Sequence, residues 1–535
     1  MTKKLLSLLL AVAMLGLMGS AALAERTLIN NVYTEGLPIV EEPETFSLLV
    51  DDSGVLEDKL MLPILAEQTG ITPEFIIYPY QVALERLSIM VSTGDYPDAI
   101  GGWLLGDSNI LVDGMVEGMY VPIEEYIDTF SPKMQEVLSI PGVRDTMTLP
   151  DGHIYTIPYV VGEPTVSFLP FINAKWLETL GLDMPETVDE LAEVLRAFKT
   201  GDPNGNGEAD EIPFSSDPNN RSFGLFAGWF GENAHSMGSS PYYSMDGDQI
   251  VFRANRPAFK AMIEYFAGLY AEGLIDPEIF TQDLEMWKSK GKQDLYGVSL
   301  AYGAGDFFDP DESLPKSVNR YPFEPLPVLK SEQSGDQPVF RRNGFGVTTF
   351  RTQLAITDKA KNPGLIVRWF DQVFQLDNSI QFNGGLMGVA MEKLEDGSYR
   401  ALDQSAWDEA TRRKNDWANL WLQSLPKYIP VDVKIAPAEG LDPDYPEKDI
   451  ADAIYEPYLE PRPLPQVWMN EEDSEKMSVL QTDIRTYIDQ KVAEWISGEK
   501  DINAEWDAYV AQLETMGLEE LTAIKQRAVD SIPKD

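Results

Sequence analysis

The chain has 535 residues, more than one compact core needs, so two or more domains are expected. Acids outnumber bases 87 to 42, a formal charge of −45 that argues against nucleic acid and anionic membrane surfaces as partners, since both need clustered Lys and Arg. Cysteine is absent, which excludes disulfides, thiol catalysis, zinc–cysteine sites and iron–sulfur clusters, and His153 and His235 are too few for a His-rich metal centre.

Lys3 and Lys4 precede an apolar run from Leu5 to Leu17 and a small-residue end at Ala22-Leu23-Ala24. This is the secretory signal pattern, with cleavage expected after Ala24. The run is short for a membrane span. The expected product is an exported mature chain, periplasmic or extracellular. Cleavage removes two lysines and no acids, so the mature formal charge is −45 − 2 = −47.

Residues 25–44 read as a loose, Pro-bearing leader. Short strands at Phe46–Val50, Phe75–Tyr78 and Asp98–Ile100 alternate with helical patterns over Leu56–Gln68 and Gln81–Ser92. Such alternation predicts a parallel α/β sheet, whose ligands sit at the carboxyl ends of the strands. Asp51, Asp52, Tyr78, Gly101, Gly102 and Trp103 fall at those ends. Asp151–Pro158 is a turn running into a further strand through Tyr159–Val161. Thr187 and Glu190 form a capping box for a helix that buries Val188, Leu191, Leu195 and Phe198.

The next stretch, Gly201 to Ser215, places Asp202, Asn204, Asn206, Glu208 and Asp210 at alternate positions, with Gly205 and Gly207 between them. Hard cations take six to eight oxygen ligands from tightly wound loops. The D-x-N-x-N-G spacing matches the first half of an EF-hand loop, including the glycine of the sharp turn. The second half departs from it: position twelve is Pro213, so Asp210 and Glu211 have to supply the closing carboxylates. A solvated turn is the competing reading. Calcium is the expected occupant.

A helix over Asn255–Glu272, a long connection over Asp309–Lys330, a strand-like return at Arg341–Val347 and a helix over Pro363–Phe374 follow. The C-terminus is strongly helical, with one apolar face from Met477 to Ile496 and another from Trp506 to Ile524.

Several motifs, in this order and spacing, carry a resemblance: G-D-Y-P-D-A-I (94–100), D-G-H-I-Y-T-I-P (151–158), N-A-K-W-L-E-T-L-G-L (173–182), the calcium-type loop, G-L-I-D-P-E-I-F-T (273–281), N-A-E-W-D-A-Y-V (503–510) and L-E-E-L-T-A-I-K-Q-R-A (518–528). Together they resemble the extracellular solute-binding proteins of ABC importers, in the oligosaccharide-binding branch that includes alginate-oligosaccharide-binding proteins and many bacterial lipoproteins. The resemblance implies an α/β periplasmic-binding-protein fold, with two lobes, a ligand cleft between them and a helical C-terminus. It implies a first lobe of 25–162 plus 330–400 and a second of 163–329 plus 401–535. It also implies that the calcium is structural and remote from the sugar, that the partners are an oligosaccharide and the permease subunits of an importer, and that the protein is a monomer without catalysis. Many relatives carry a lipidated cysteine at the mature N-terminus, and this chain has none.

Sugars present apolar faces to aromatic rings and hydroxyls to polar groups. Trp103, after two glycines at a strand end, is a candidate contact, as are Trp229 in a loop-flanked aromatic run and Tyr302 after an apolar strand. Trp421 shares a predicted helix face with Trp417, and Arg342 and Asn343 lie on the return strand. Arg341–Arg342 is the one conspicuous basic pair there, which favours a neutral or lightly charged oligosaccharide. The alternatives are an exported glycoside hydrolase or lyase using two of the many carboxylates, or the same fold binding a peptide or another small solute.

Overall fold

The computed structural model describes residues 26–532 apart from 53, 163–165, 167, 219–222, 235–240, 316, 343–346, 431–432, 434 and 441–445. The expected signal segment, His235 and Asn343 lie outside the described residues. Strands β1 (Ser47–Asp51), β2 (Glu74–Tyr78) and β3 (Ala99–Gly101) run parallel, joined by helices α1 (Met61–Thr69) and α2 (Tyr80–Thr93). Both helices stop at a glycine in the left-handed region, Gly70 at φ 78° and Gly94 at φ 70°, where a side chain is disfavoured and the turn back to a strand begins. Strand β4 (Thr156–Gly162) ends this first pass.

The chain then builds a second sheet from β5 (Leu169–Asn173), β6 (Ile212–Ser216), β7 (Tyr296–Ala301) and β8 (Phe323–Pro325). Here β6 and β7 are parallel, and β5 runs antiparallel to β7 and β8. Helix α3 (Val188–Thr200) starts where predicted: Thr187 Oγ1 accepts the Glu190 N–H at 3.2 Å while Glu190 Oε2 accepts the Thr187 N–H at 3.1 Å. Its buried stripe of Val188, Leu191, Leu195 and Phe198 covers the sheet, and Phe198 meets Trp176 edge-on at 5.3 Å. Helix α4 (Pro257–Ala271) packs on the same core through Phe259, Met262, Ile263 and Phe266.

Strand β9 (Val347–Ile356) returns to the first sheet and pairs antiparallel with both β3 and β4. It is followed by helices α5 (Pro363–Val373) and α6 (Leu376–Gly384), and by β10 (Tyr428–Ile429), which adds in parallel beside β4. The two sheets are therefore β10-β4-β9-β3-β1-β2 and β8-β5-β7-β6. Helices α7 (Glu447–Tyr455), α8 (Glu471–Ile496), α9 (Ile502–Thr515) and α10 (Leu518–Asp530) complete the chain against the second sheet's core.

Each sheet has its own apolar core, which makes two lobes. Leu48, Val50, Ile157, Leu354, Ile356 and Trp369 belong to the first core, and Phe171, Phe198, Phe214, Phe266, Val298 and Trp495 to the second. Fully burying one such side chain contributes roughly 1.5–3 kcal/mol. Core membership moves two of the expected boundaries. Leu329 and Phe340 still pack in the second core, so the return comes between Phe340 and β9 rather than at 330. Trp421, Leu422, Leu425 and Tyr428 pack in the first core, so the switch back comes after β10 rather than at 401.

The chain thus crosses between lobes after β4, before β9, between β10 and α7 and again after Glu460, since Trp468 packs with Leu49, Ile100 and Ala355 of the first lobe before α8 returns to the second. Two crossings are bonded to each other: Phe340 N–H donates to Tyr458 O at 2.7 Å, and Glu460 N–H to Phe340 O at 2.9 Å. The crossing after Glu460 is clamped at its far end. The Arg351 guanidinium lies 3.8 Å over the Trp468 ring, donates to Val467 O at 3.1 Å and to Asp107 Oδ1 at 3.0 Å, and Trp468 Nε1 donates to Thr146 O at 2.7 Å.

Candidate functional site at the lobe crossings

The carboxyl ends of β1 and β3 meet at Asp51 and Gly102. Gly102 has φ 87°, and a Cβ on it would stand 1.9 Å from Asp51 Oδ1, so only glycine fits. The tight turn brings the Trp103 N–H onto Asp51 Oδ1 at 2.8 Å. Burial pushes the Asp51 carboxyl above its ordinary range, against the hydrogen bond from Trp103 that favours the charged form. Ser424 Oγ donates to Asp51 O at 2.8 Å, which ties the segment before β10 to the same corner. Lys59 and Asp52 form a buried ion pair at 2.9 Å, and Lys59 Nζ also donates to Ala418 O at 2.8 Å.

Trp103 is held by its backbone and leaves its indole 45% exposed. It meets the Phe350 ring edge-on at 5.3 Å, and Phe350 stacks on Tyr159 at 5.2 Å and 28°. Phe350 and Tyr159 are half-buried and pair across β9 and β4, close to where both strands enter their crossings. The result is an aromatic shelf with one exposed member.

In the second lobe Tyr302 follows the carboxyl end of β7 and is 44% exposed. Its N–H donates to Asp306 Oδ2 at 3.0 Å, its carbonyl accepts from Lys448 Nζ, and its ring lies 5.0 Å from Phe168. Phe168 comes just past the first crossing, so Tyr302, like Trp103, stands beside the segments that join the lobes. Glu447, at the start of α7, lies in the same corner, and burial raises its carboxyl.

Two predicted contacts need correction. Trp229 is 1% exposed, inside a run from Phe223 to Phe230 that is buried throughout, with Phe226 at 4.6 Å and Phe266 at 6.4 Å. Trp421 is 0% exposed and stacks on Phe382 at 4.5 Å. The helix expected to carry it ends at Leu420, and the extended backbone of Trp421, φ −146° and ψ 165°, turns the ring into the first core. Arg342 is half-buried and donates from Nε to Glu460 O at 3.1 Å, so it fastens the paired crossings. Phe350 and Tyr159 carry no sequence signal of their own. Strand alternation alone does not reveal which face a neighbouring strand leaves open.

The loop after α3 is wound as its sequence requires. Asp202, at φ 47°, accepts the Gly207 N–H at 3.3 and 3.2 Å, Asn204 Oδ1 accepts the Asn206 N–H at 3.1 Å, and Asn206 Oδ1 accepts the Glu208 N–H at 2.7 Å. Gly205 and Gly207 take φ 73° and 80°. The Asn206 amide nitrogen donates to both Asp210 oxygens at 3.1 and 3.2 Å. Burial, then the charges of Asp210 and Asp202, push the Glu211 carboxyl up, and its Oε1 is buried without a hydrogen-bond partner. Among the described residues no cluster of three or more acidic or histidine groups is gathered at metal-binding distance. Even so, an orphaned carboxylate oxygen beside two further carboxylates fits a hard cation, with Asn204 and Asn206 supplying amide oxygens. The loop enters β6 at Ile212, level with the start of parallel β7. Tyr302 is at the other end of β7, about 20 Å away at 3.3 Å per residue.

No protein-family model matches the chain. The chain is 32% identical over 498 residues to the fructooligosaccharide ABC transporter substrate-binding protein FusA of Streptococcus pneumoniae serotype 4, covering 88% of this chain and 87% of the relative. The solved structure of S. pneumoniae FusA in complex with kestose superposes with a TM-score of 0.74 at 30% identity, over 91% of this chain and 99% of that one. An EF-hand mutant of FusA in complex with fructo-nystose gives 0.73 at 29% identity, with 91% and 99% covered. The alginate-binding protein AlgQ2, solved without calcium ion, gives 0.68 at 26% identity, with 93% and 100% covered.

Proposed function

The chain belongs to the substrate-binding proteins of ABC transporters, and from that premise we propose that it captures an oligosaccharide between its lobes and delivers it to the permease subunits of an importer. Family membership makes it a binding protein, not the carbohydrate-active enzyme weighed from sequence. The observation that carries the sugar reading is the shelf of Trp103, Phe350 and Tyr159. An exposed indole on a rigid aromatic base suits the apolar face of a pyranose or furanose ring. Carboxylates beside the two exposed aromatics, Asp51 at Trp103 and Glu447 near Tyr302, suit hydroxyls.

Capture works by closure. A ligand that contacts both lobes stabilises the closed arrangement, and the paired crossings at Phe340 and Glu460 are the segments that bend. Trp103 and Tyr302 supply one exposed aromatic from each lobe. The relative FusA, solved with kestose, makes fructo-oligosaccharides the first class to test. The loop from Asp202 to Glu211 is a structural calcium site on this reading, supported by the orphaned Glu211 oxygen and by a relative solved as an EF-hand mutant. Calcium would supply the positive charge that lets Asp202, Asp210 and Glu211 share one small volume.

No helix among the described residues is long and apolar enough to cross a membrane. We read the N-terminal Lys–apolar–Ala pattern as an export signal and the mature protein as an exported monomer. A thermal-shift screen with kestose, alginate oligosaccharides, maltose and a peptide mixture tests the assignment. Kestose at a hundred times its Kd should add about 2.7 kcal/mol of stability. A shift with peptides and none with any sugar would overturn it.

A further inference from the structure

Lys427 is buried, 3% exposed, beneath the aromatic shelf. Its ammonium donates to Gln423 Oε1 at 2.8 Å and to Asn383 Oδ1 at the longer 3.4 Å, and it lies 4.8 Å from the centroid of the Tyr159 ring. No carboxylate of the described residues lies within ion-pair distance of it. A buried charge without a counter-charge is costly, and this chain has 87 acids from which a partner could have come. Burial lowers its pKa to about 8. Such a group is a poor choice for stability alone.

What it does to its neighbours is specific. An ammonium has three donors and no acceptor. It therefore fixes which way each carboxamide points: the Gln423 nitrogen turns to Phe382 O and Trp421 O, each at 3.5 Å, and the Asn383 nitrogen turns away from the ammonium. Asn383 is exposed at the end of α6, and its amide nitrogen has no protein partner among the described residues. On the other side the cation holds the Tyr159 ring, which stacks on Phe350 and through it supports Trp103. The segment of Gln423 is anchored to the same corner, because Ser424 binds Asp51 O.

We propose that Lys427 is a specificity-determining positioning residue of the cleft: it locks the Tyr159 ring as a stacking surface and turns the Asn383 carboxamide so that its N–H donors face the ligand. This rests on the sugar reading above. The groups that face the ammonium are the Tyr159 phenol ring from β4, the neutral amide of Asn383 from α6, and Gln423 from its own segment; the cation Lys133 lies 5.9 Å from the ring of Tyr428, the next residue along.

The test measures kestose affinity by calorimetry for the full chain, Lys427→Met and Lys427→Arg, together with melting temperatures. Lys427→Met removes an uncompensated charge while keeping a chain of similar length, so its melting temperature should hold or rise while affinity falls about tenfold or more. Lys427→Arg, which keeps the donors and the charge, should recover part of that loss. In the unaltered protein, affinity should fall as pH rises through about 8, and Lys427→Met should flatten that profile. Affinity and pH profile unchanged in Lys427→Met would overturn the proposal alone. A parallel loss of affinity and melting temperature would reduce the residue to a structural one. Absence of kestose binding by the unaltered protein at every pH would overturn the sugar reading, and this proposal with it.

Discussion

At the scale of single residues, the best-determined feature is Gly102. Its φ and the 1.9 Å gap to Asp51 Oδ1 leave no room for a side chain, and the turn it makes is what presents Trp103. Gly102→Ala should cost about 2 kcal/mol or more in urea denaturation and weaken kestose binding as well, because the Trp103 N–H loses its partner. The exposed position of Trp103 was legible in the sequence for this reason: two glycines after a strand mark a place where the backbone must turn sharply. Trp229 and Trp421 were misread because an isolated aromatic in a short apolar run carries no periodicity to test. Trp229 sits in a run that is apolar all round and therefore buried. Trp421 lies one residue beyond its helix, where the face changes. Lys427 has no sequence signal, since only the fold brings Asn383, Gln423 and Tyr159 around it.

At the scale of elements, two devices can be tested separately. The capping box of α3 satisfies the N–H groups of Thr187 and Glu190 reciprocally, so Thr187→Ala should lower stability by about 1 kcal/mol, read as a lower melting temperature with unchanged kestose affinity. The loop after α3 should behave as a fastener. A chelator should lower the melting temperature, added calcium should restore it, and Asp202→Ala should abolish that response while leaving sugar affinity nearly intact, because the loop is at the far end of β7 from Tyr302. An unchanged melting temperature with chelator would make the loop a simple turn. Amphipathic helices and the first three strands were legible from period and turn residues. The lobe boundaries were not: β10 has two residues and Phe340 returns to the second core without a composition change, so neither leaves a pattern in the chain.

At the scale of the whole molecule, buried charges set how stability responds to pH. Burial lowers Lys427 to about 8 and Lys525 to about 7. Below those values both are charged in the folded and the unfolded chain, and the cost of burying them is fully present. As pH rises the folded chain releases these protons first, the unfolded chain binds more, and stability increases. Glu460 has the opposite sense: burial raises it to about 7, so its favourable contribution is lost as pH climbs to that value. Denaturant midpoints should therefore rise from about pH 7 toward 9.5, and the rise should be smaller in Lys427→Met. A flat or falling midpoint over that range would contradict the burial of these lysines.

Two cores, a chain that crosses repeatedly between them and an exposed aromatic in each lobe support the proposed closure about the paired segments at Phe340 and Glu460. Small-angle X-ray scattering with and without saturating kestose tests this directly. The radius of gyration should contract on adding the sugar, and a scattering curve left unchanged by bound kestose would contradict it.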